Sequence, residues 1–139
     1  MLTDEFIWPV RVYYEDTDSG GVVYYANYLR FLERCRTEWL RACGLEQDSL
    51  REQQGIVFVV RSLQLDFRLP ARFNDCLSVH SRIHQQRRAS LVFAQRILRG
   101  STLLLDGLVK VACIHVDDFK PRALPDQLNH RVLTHGEES

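Results

Sequence analysis

Residues 14–28 read Tyr14-Glu15-Asp16-Thr17-Asp18-Ser19-Gly20-Gly21-Val22-Val23-Tyr24-Tyr25-Ala26-Asn27-Tyr28. Two carboxylates, Asp16 and Asp18, stand beside a glycine pair, and an apolar, helix-compatible stretch follows from about Tyr28. Paired glycines permit a tight turn with backbone angles that other residues avoid. A helix beginning just past such a turn directs unpaired N–H groups and a partial positive charge back toward the acids. A carboxylate beside N–H donors suits acyl transfer, in which negative charge builds on a carbonyl oxygen as it is attacked.

Two blander readings compete. Asp16 to Gly21 imitates the opening of an EF-hand loop, but its fifth position is Gly20 and its twelfth is Asn27, where a bidentate Glu is required. Calcium is therefore disfavoured. The acids also suit plain caps for a helix or turn. Composition leaves that reading open beside the reactive one.

At 139 residues the chain is expected to form a single domain over 1–139. Eighteen basic and eighteen acidic side chains balance, so no long-range field recruits nucleic acid or an anionic membrane. Only Lys110 and Lys120 are lysines; the other cations are arginines, which suit forked contacts to phosphate or carboxylate. The N-terminus carries acids where a signal peptide needs bases, and no run approaches the ~20 apolar residues of a membrane span. A cytoplasmic location is expected. Cys35, Cys43, Cys76 and Cys113 lack C-x-x-C spacing, which argues against structural zinc and for free buried thiols.

Working outward, Phe6 to Tyr14 predicts an opening strand, with Pro9 marking an edge position. Tyr28, Phe31, Leu32, Cys35, Trp39, Leu40 and Cys43 recur at helical steps, and Gly44 is a stop. A shorter helix around Asp48–Gln54 ends at Gly55. Leu63, Leu65, Phe67 and Leu69 then alternate with polar residues, predicting a half-buried strand stopped by Pro70. Asn74-Asp75 makes a turn, and Leu77, Val79 and Ile83 mark the next strand. Further strands are expected over Ser90–Arg99 and Leu103–Val116, the last bent at Gly107. The residues from His130 read as a frayed tail. One strand, one long helix and four strands in succession make an α+β domain, an antiparallel sheet packed on the helix.

His80 and His84, four apart in a strand pattern, lie roughly 13 Å apart and read as surface residues rather than metal ligands. His115 falls in an apolar run and reads as a core or interface residue. Neither a serine-hydrolase elbow nor a phosphate-binding glycine loop is present. Arg82, Arg87, Arg88, Arg96 and Arg99 cluster along two adjacent strands around Ser90. They form either a solvated sheet edge or a phosphate-binding strip.

The run Tyr13–Asp18, with Gly21-Val22-Val23-Tyr24 and Asn27-Tyr28, resembles the signature of hotdog-fold thioesterases of the 4-hydroxybenzoyl-CoA family, closest to the Tol–Pal-associated YbgC type. The likeness extends through Trp8–Val12, Ser90–Phe93 and Lys120–Pro125. It implies a sheet wrapped around the long helix, and subunits paired as dimers or dimers of dimers with active sites between them. It implies an acyl-CoA substrate of short or small acyl type, with acyl carrier protein as another possible carrier. No metal or separate cofactor is implied, because coenzyme A belongs to the substrate. The resemblance makes Asp18 the catalytic carboxylate and puts the carbonyl at the Tyr25 N–H, with Gly21 and Val22 beside it. Arg87, Arg88 and Ser90 line the CoA groove by the same likeness, and Lys120 and Arg122 meet the nucleotide phosphates. Tyr25 stands where many YbgC-type sequences have His, a departure that favours aromatic acyl groups. A hotdog dehydratase would want that His, and a scaffold of the same fold would not need Asp18.

Overall fold

The computed structural model describes residues 5–128; the tail from His130 lies outside them. Elements run β1 (Phe6–Arg11), a 3-10 turn (Tyr14–Asp16), α1 (Tyr25–Ala42), α2 (Gln47–Gln54), β2 (Ile56–Phe67), β3 (Cys76–Arg87), β4 (Ser90–Arg99) and β5 (Thr102–His115). The strands form one five-stranded sheet in the order β1-β3-β4-β5-β2, and every neighbouring pair is antiparallel. Pro9 therefore sits on an edge strand, where its missing N–H costs no ladder bond.

One face of the sheet packs on α1. Leu77, Val79, Ser81 and Ile83 of β3 face inward with Leu91, Phe93, Gln95 and Ile97 of β4. From the helix come Tyr28, Phe31, Leu32, Cys35, Trp39 and Leu40, the stripe that the three- and four-residue spacing predicts. The helix ends as expected: Gly44 at φ +88 lets the Leu45 N–H reach back to the Leu40 carbonyl at 2.9 Å. A polar relay crosses this apolar interface. The Gln95 amide donates to the Leu32 carbonyl at 3.1 Å and to Ser81 Oγ at 2.6 Å, and it accepts from Arg36 at 3.0 Å. Cys35 Sγ lies 3.2 Å from the same Ser81 hydroxyl. Burial pushes the Cys35 thiol up to about 11, so it stays protonated at neutral pH.

Several expectations need correction. The helix begins at Tyr25, one turn before the first apolar step at Tyr28, because Tyr25 and Ala26 are exposed and the buried Asn27 is polar, so the opening turn shows no apolar periodicity. β2 starts at Ile56, and a register shift between Val60 and Ser62 separates its two halves. The segment expected to be half-buried is largely bare, with Leu63, Phe67 and Leu69 of its apolar face 44%, 47% and 49% exposed, since it lies at the sheet edge. Pairing runs through Gly107 without a shift. That glycine answers a close approach instead, because a Cβ there would lie 2.1 Å from the Gln64 carbonyl oxygen. Cys76 is exposed rather than buried, and Cys43 only half-buried. His80 is half-buried too, bonded to Glu5 at 3.2 Å and Ser78 at 3.0 Å. Among the described residues no helix is long and apolar enough to cross a membrane.

Candidate active site

Asp18 opens a tight turn. Its carbonyl accepts from the Gly21 N–H at 3.0 Å, its N–H donates to the Val22 carbonyl at 2.9 Å, and its Oδ1 accepts from the Gly20 N–H at 2.8 Å. Gly21 has φ +82, the left-handed region that favours glycine. Asp16 is used differently: its Oδ2 accepts from the Tyr13 N–H at 2.8 Å and closes the preceding 3-10 turn. Both acids therefore cap backbone, but Asp18 is exposed, and among the described residues no hydrogen bond engages its Oδ2.

Backbone bonds fasten this loop to the segment after β2. Val23 N–H reaches the Ala71 carbonyl at 2.9 Å, Tyr24 N–H reaches the Asp16 carbonyl at 3.1 Å, and Val22 bridges to Arg72. The buried Tyr28 hydroxyl accepts from the Ala71 N–H at 3.0 Å; burial raises its phenol above the usual range despite that bond. Asn27 ties the first turn of α1 to the acid loop by donating to the Asp16 carbonyl at 2.8 Å.

Between loop, helix start and strand end lies a cleft of about 400 Å³. Asp18, Val22 and Tyr25 line it, as do Tyr28, Phe67 and Leu69. Tyr24, at the N-cap of α1, makes no side-chain capping bond; its carbonyl takes the Asn27 N–H at 2.9 Å, which leaves the Tyr25 and Ala26 N–H groups as the donors of the helix start. Phe67 packs edge-on to Tyr25 at 5.1 Å between centroids and tilted against Tyr28 at 5.6 Å. Arg68 reaches the rim, held by Asp106 at 2.8 Å. Phe67, Arg68, Leu69 and the Tyr28 hydroxyl were not singled out by sequence reasoning. The alternation read Phe67 and Leu69 as the apolar face and Arg68 as the polar one, helical spacing read Tyr28 as core-facing, and only the fold brings them to one edge.

The groove residues gather elsewhere. Arg87 pairs with Ser90 across the β3–β4 turn, and the Arg88 carbonyl accepts from the Leu124 N–H at 2.9 Å. The strap from Lys120 to Leu124 runs beside the end of β5, with the Arg122 N–H on the Cys113 carbonyl at 2.9 Å. Arg87, Arg88, Ser90, Lys120 and Arg122 thus share one end of the sheet. The Arg122 guanidinium is folded back on Asp118 at 3.2 Å and on the Pro121 carbonyl at 3.2 Å. Three arginines of the supposed strip are used otherwise. Arg96 binds Glu5 and Arg99 binds Asp75, the latter beside Pro70 at the cleft end, while Arg82 lies on the open sheet surface.

Cleft and basic end are far apart in one chain. Phe67 pairs with Leu105 and Ser90 with Ala112 on the same strand, seven steps or about 23 Å.

The family model described as Thioesterase superfamily matches residues 20–105. The chain belongs to the thioesterase superfamily. This superfamily member is 44% identical over 128 residues to the acyl-CoA thioesterase YbgC of Haemophilus influenzae, covering 92% of this chain and 94% of that protein. It is 47% identical over 129 residues to the acyl-CoA thioester hydrolase YbgC of Escherichia coli, covering 92% and 96%. A probable thioesterase from Bartonella henselae superposes with a TM-score of 0.83 at 38% identity, over 87% of this chain and 99% of that one. The sheet packed on one long helix is the hotdog fold of these thioesterases.

Proposed function

We propose that this thioesterase-superfamily chain hydrolyses short or small acyl-CoA thioesters to coenzyme A and a carboxylate. One observation carries the reading: Asp18 and the uncapped start of α1 line the same cleft. The thioester carbonyl oxygen takes the Tyr25 N–H, which stabilises the charge that develops on it. Asp18 either attacks the carbonyl carbon to form a mixed anhydride, later opened by water, or removes the proton of an attacking water. In the first course the Asp18 oxygen forms the new C–O bond as the C–S bond breaks, and water then cleaves the anhydride. In the second, water itself forms that bond as the C–S bond breaks. In both, the departing thiolate ends as a thiol with a proton that the water gives up. The names of the two YbgC relatives support the substrate class.

Asp18→Asn keeps the shape and removes the basicity. Its kcat should fall by at least ~100-fold on a panel of aliphatic and aromatic acyl-CoAs. Wild-type turnover by that variant would end the assignment. The panel also reads acyl preference, and acyl carrier protein thioesters assayed beside it read the carrier. A role beside the Tol–Pal system is the pathway consistent with the YbgC likeness; co-purification with its components tests it.

The separated halves favour a site shared by two copies. Among the described residues the outer edge of β2 is unpaired, and it carries exposed Val60, Leu63 and Phe67. Such an edge invites strand pairing. Antiparallel pairing of two β2 strands about their middle sets the Phe67 end of one copy against the Val57 end of the other. The cleft of each copy then faces the basic end of its partner.

A further inference from the structure

Phe119 has φ +59, a left-handed conformation that a bulky side chain rarely adopts. It sits at the last position of the turn joining β5 to the strap, where glycine or asparagine is the unstrained choice. The turn over-determines that conformation. His115 N–H donates to the Lys120 carbonyl at 2.9 Å, Phe119 N–H donates to the His115 carbonyl at 2.9 Å, and Lys120 N–H donates to Asp118 Oδ1 at 2.9 Å. Arg122 clamps the other oxygen of Asp118, and these bonds hold the Asp118 carboxyl below its usual range.

The Phe119 ring is 67% exposed, and among the described residues no aromatic ring lies against it. Charge of both signs surrounds it: exposed Asp117 and the Arg122-paired Asp118 precede it, Lys120 follows it with an exposed side chain, and the strap leads to the Arg88 turn through the Leu124–Arg88 bond. A flat apolar face held rigidly beside an ammonium group is what a purine nucleotide requires, the base stacking and the phosphate meeting the cation. Strain kept at an exposed position points to a ligand rather than to folding.

We propose that Phe119 is the platform on which the adenine of coenzyme A stacks, with Lys120 as phosphate contact and Arg122 holding the turn in shape. This rests on the acyl-CoA reading and extends it to the nucleotide end of the substrate. Phe119→Gly tests it with effects of opposite sign. Losing the ring relieves backbone strain, so Tm should hold or rise. KM for an acyl-CoA should rise about fivefold or more, the low end for a base–aromatic stack. KM for the same acyl group on N-acetylcysteamine, which has no nucleotide, should not move. Phe119→Trp should keep KM for acyl-CoA near that of the wild type. Titration with adenosine 3′,5′-bisphosphate reads the platform without turnover: wild type and Phe119→Trp should bind, and Phe119→Gly should bind more weakly by the same factor. Equal KM changes on both thioesters, a fall in Tm with unchanged bisphosphate binding, or no bisphosphate binding by the wild type would each overturn the platform. Absence of turnover of either thioester by the wild type, with ring-dependent bisphosphate binding intact, would instead sink the hydrolase reading and leave the platform standing.

Discussion

Gly20 and Gly21 are neighbours that answer to different constraints. Gly21 is there for its backbone, at φ +82, whereas a Cβ on Gly20 would come within 3.2 Å of Asp18 Oδ1. One glycine shapes the turn and the other makes room for the acid. The proposed mechanism gives Tyr25 a similarly divided role: its N–H would serve the carbonyl whatever the side chain is, while its ring meets Phe67 in the cleft. Tyr25→His should keep the oxyanion contact and lose that aromatic face. It should lower kcat/KM for aromatic acyl-CoAs relative to aliphatic ones by about fivefold, typical of altered packing in a specificity pocket. An unchanged ratio, measured side by side for both proteins, would make the ring a bystander. At this scale the acid loop was legible because turn chemistry is local. Phe67 and Leu69 were not, since an apolar residue in alternation looks the same whether its strand is covered or bare.

Among the elements, β1 depends on Glu5. The carboxylate binds Arg96 at 3.0 Å and His80 at 3.2 Å, tying the start of the edge strand to β3 and β4. Burial pushes the Glu5 carboxyl up, but its bonds to His80 and Arg96 outweigh burial and hold it below its ordinary value. The unfolded chain therefore binds more protons as pH falls through the ordinary Glu range. The stabilisation is complete above about pH 4.3 and is lost as pH falls through the lower folded value. Glu5→Gln should flatten this part of the curve of urea midpoint against pH, and identical acid slopes in both proteins would refute the tie. β5 offers a sharper test. Gly107→Ala drives a Cβ against the Gln64 carbonyl and should destabilise by about 1–3 kcal/mol, as overpacking does, read as a fall in Tm. The element list itself was legible from periodicity and punctuation. The misjudged boundaries, the start of α1 and the first half of β2, are where exposure or a bulge interrupts the repeat.

At the scale of the whole molecule, each chain carries the Asp18 cleft at one end of the sheet and the basic residues at the other. If two copies share a site, Asp18→Asn and Arg88→Glu proteins, each nearly inactive on acyl-CoA, should regain activity when unfolded and refolded together. Random pairing gives half mixed dimers with one intact site each, about a quarter of wild-type activity for a C2 pair. No recovery, or an active monomer by light scattering, would place both functions in one copy. This division could not be read from the chain alone, because spacing along the sequence does not say which strand ends coincide.

The Gln95–Ser81–Arg36 relay also acts as a fulcrum. It grips α1 near its middle, at Leu32, Cys35 and Arg36, about 15 Å along the axis from Tyr25 at 1.5 Å per residue. A tilt of about 4° there would swing the helix tip by about 1 Å, enough to cost on the order of a hundredfold in a reaction that depends on alignment. On the proposed mechanism, the aim of the Tyr25 N–H is thus set by an amide buried nearly three turns away. A core redesign that replaced this amide with well-packed hydrocarbon would keep the protein folded and leave the lever without its pivot.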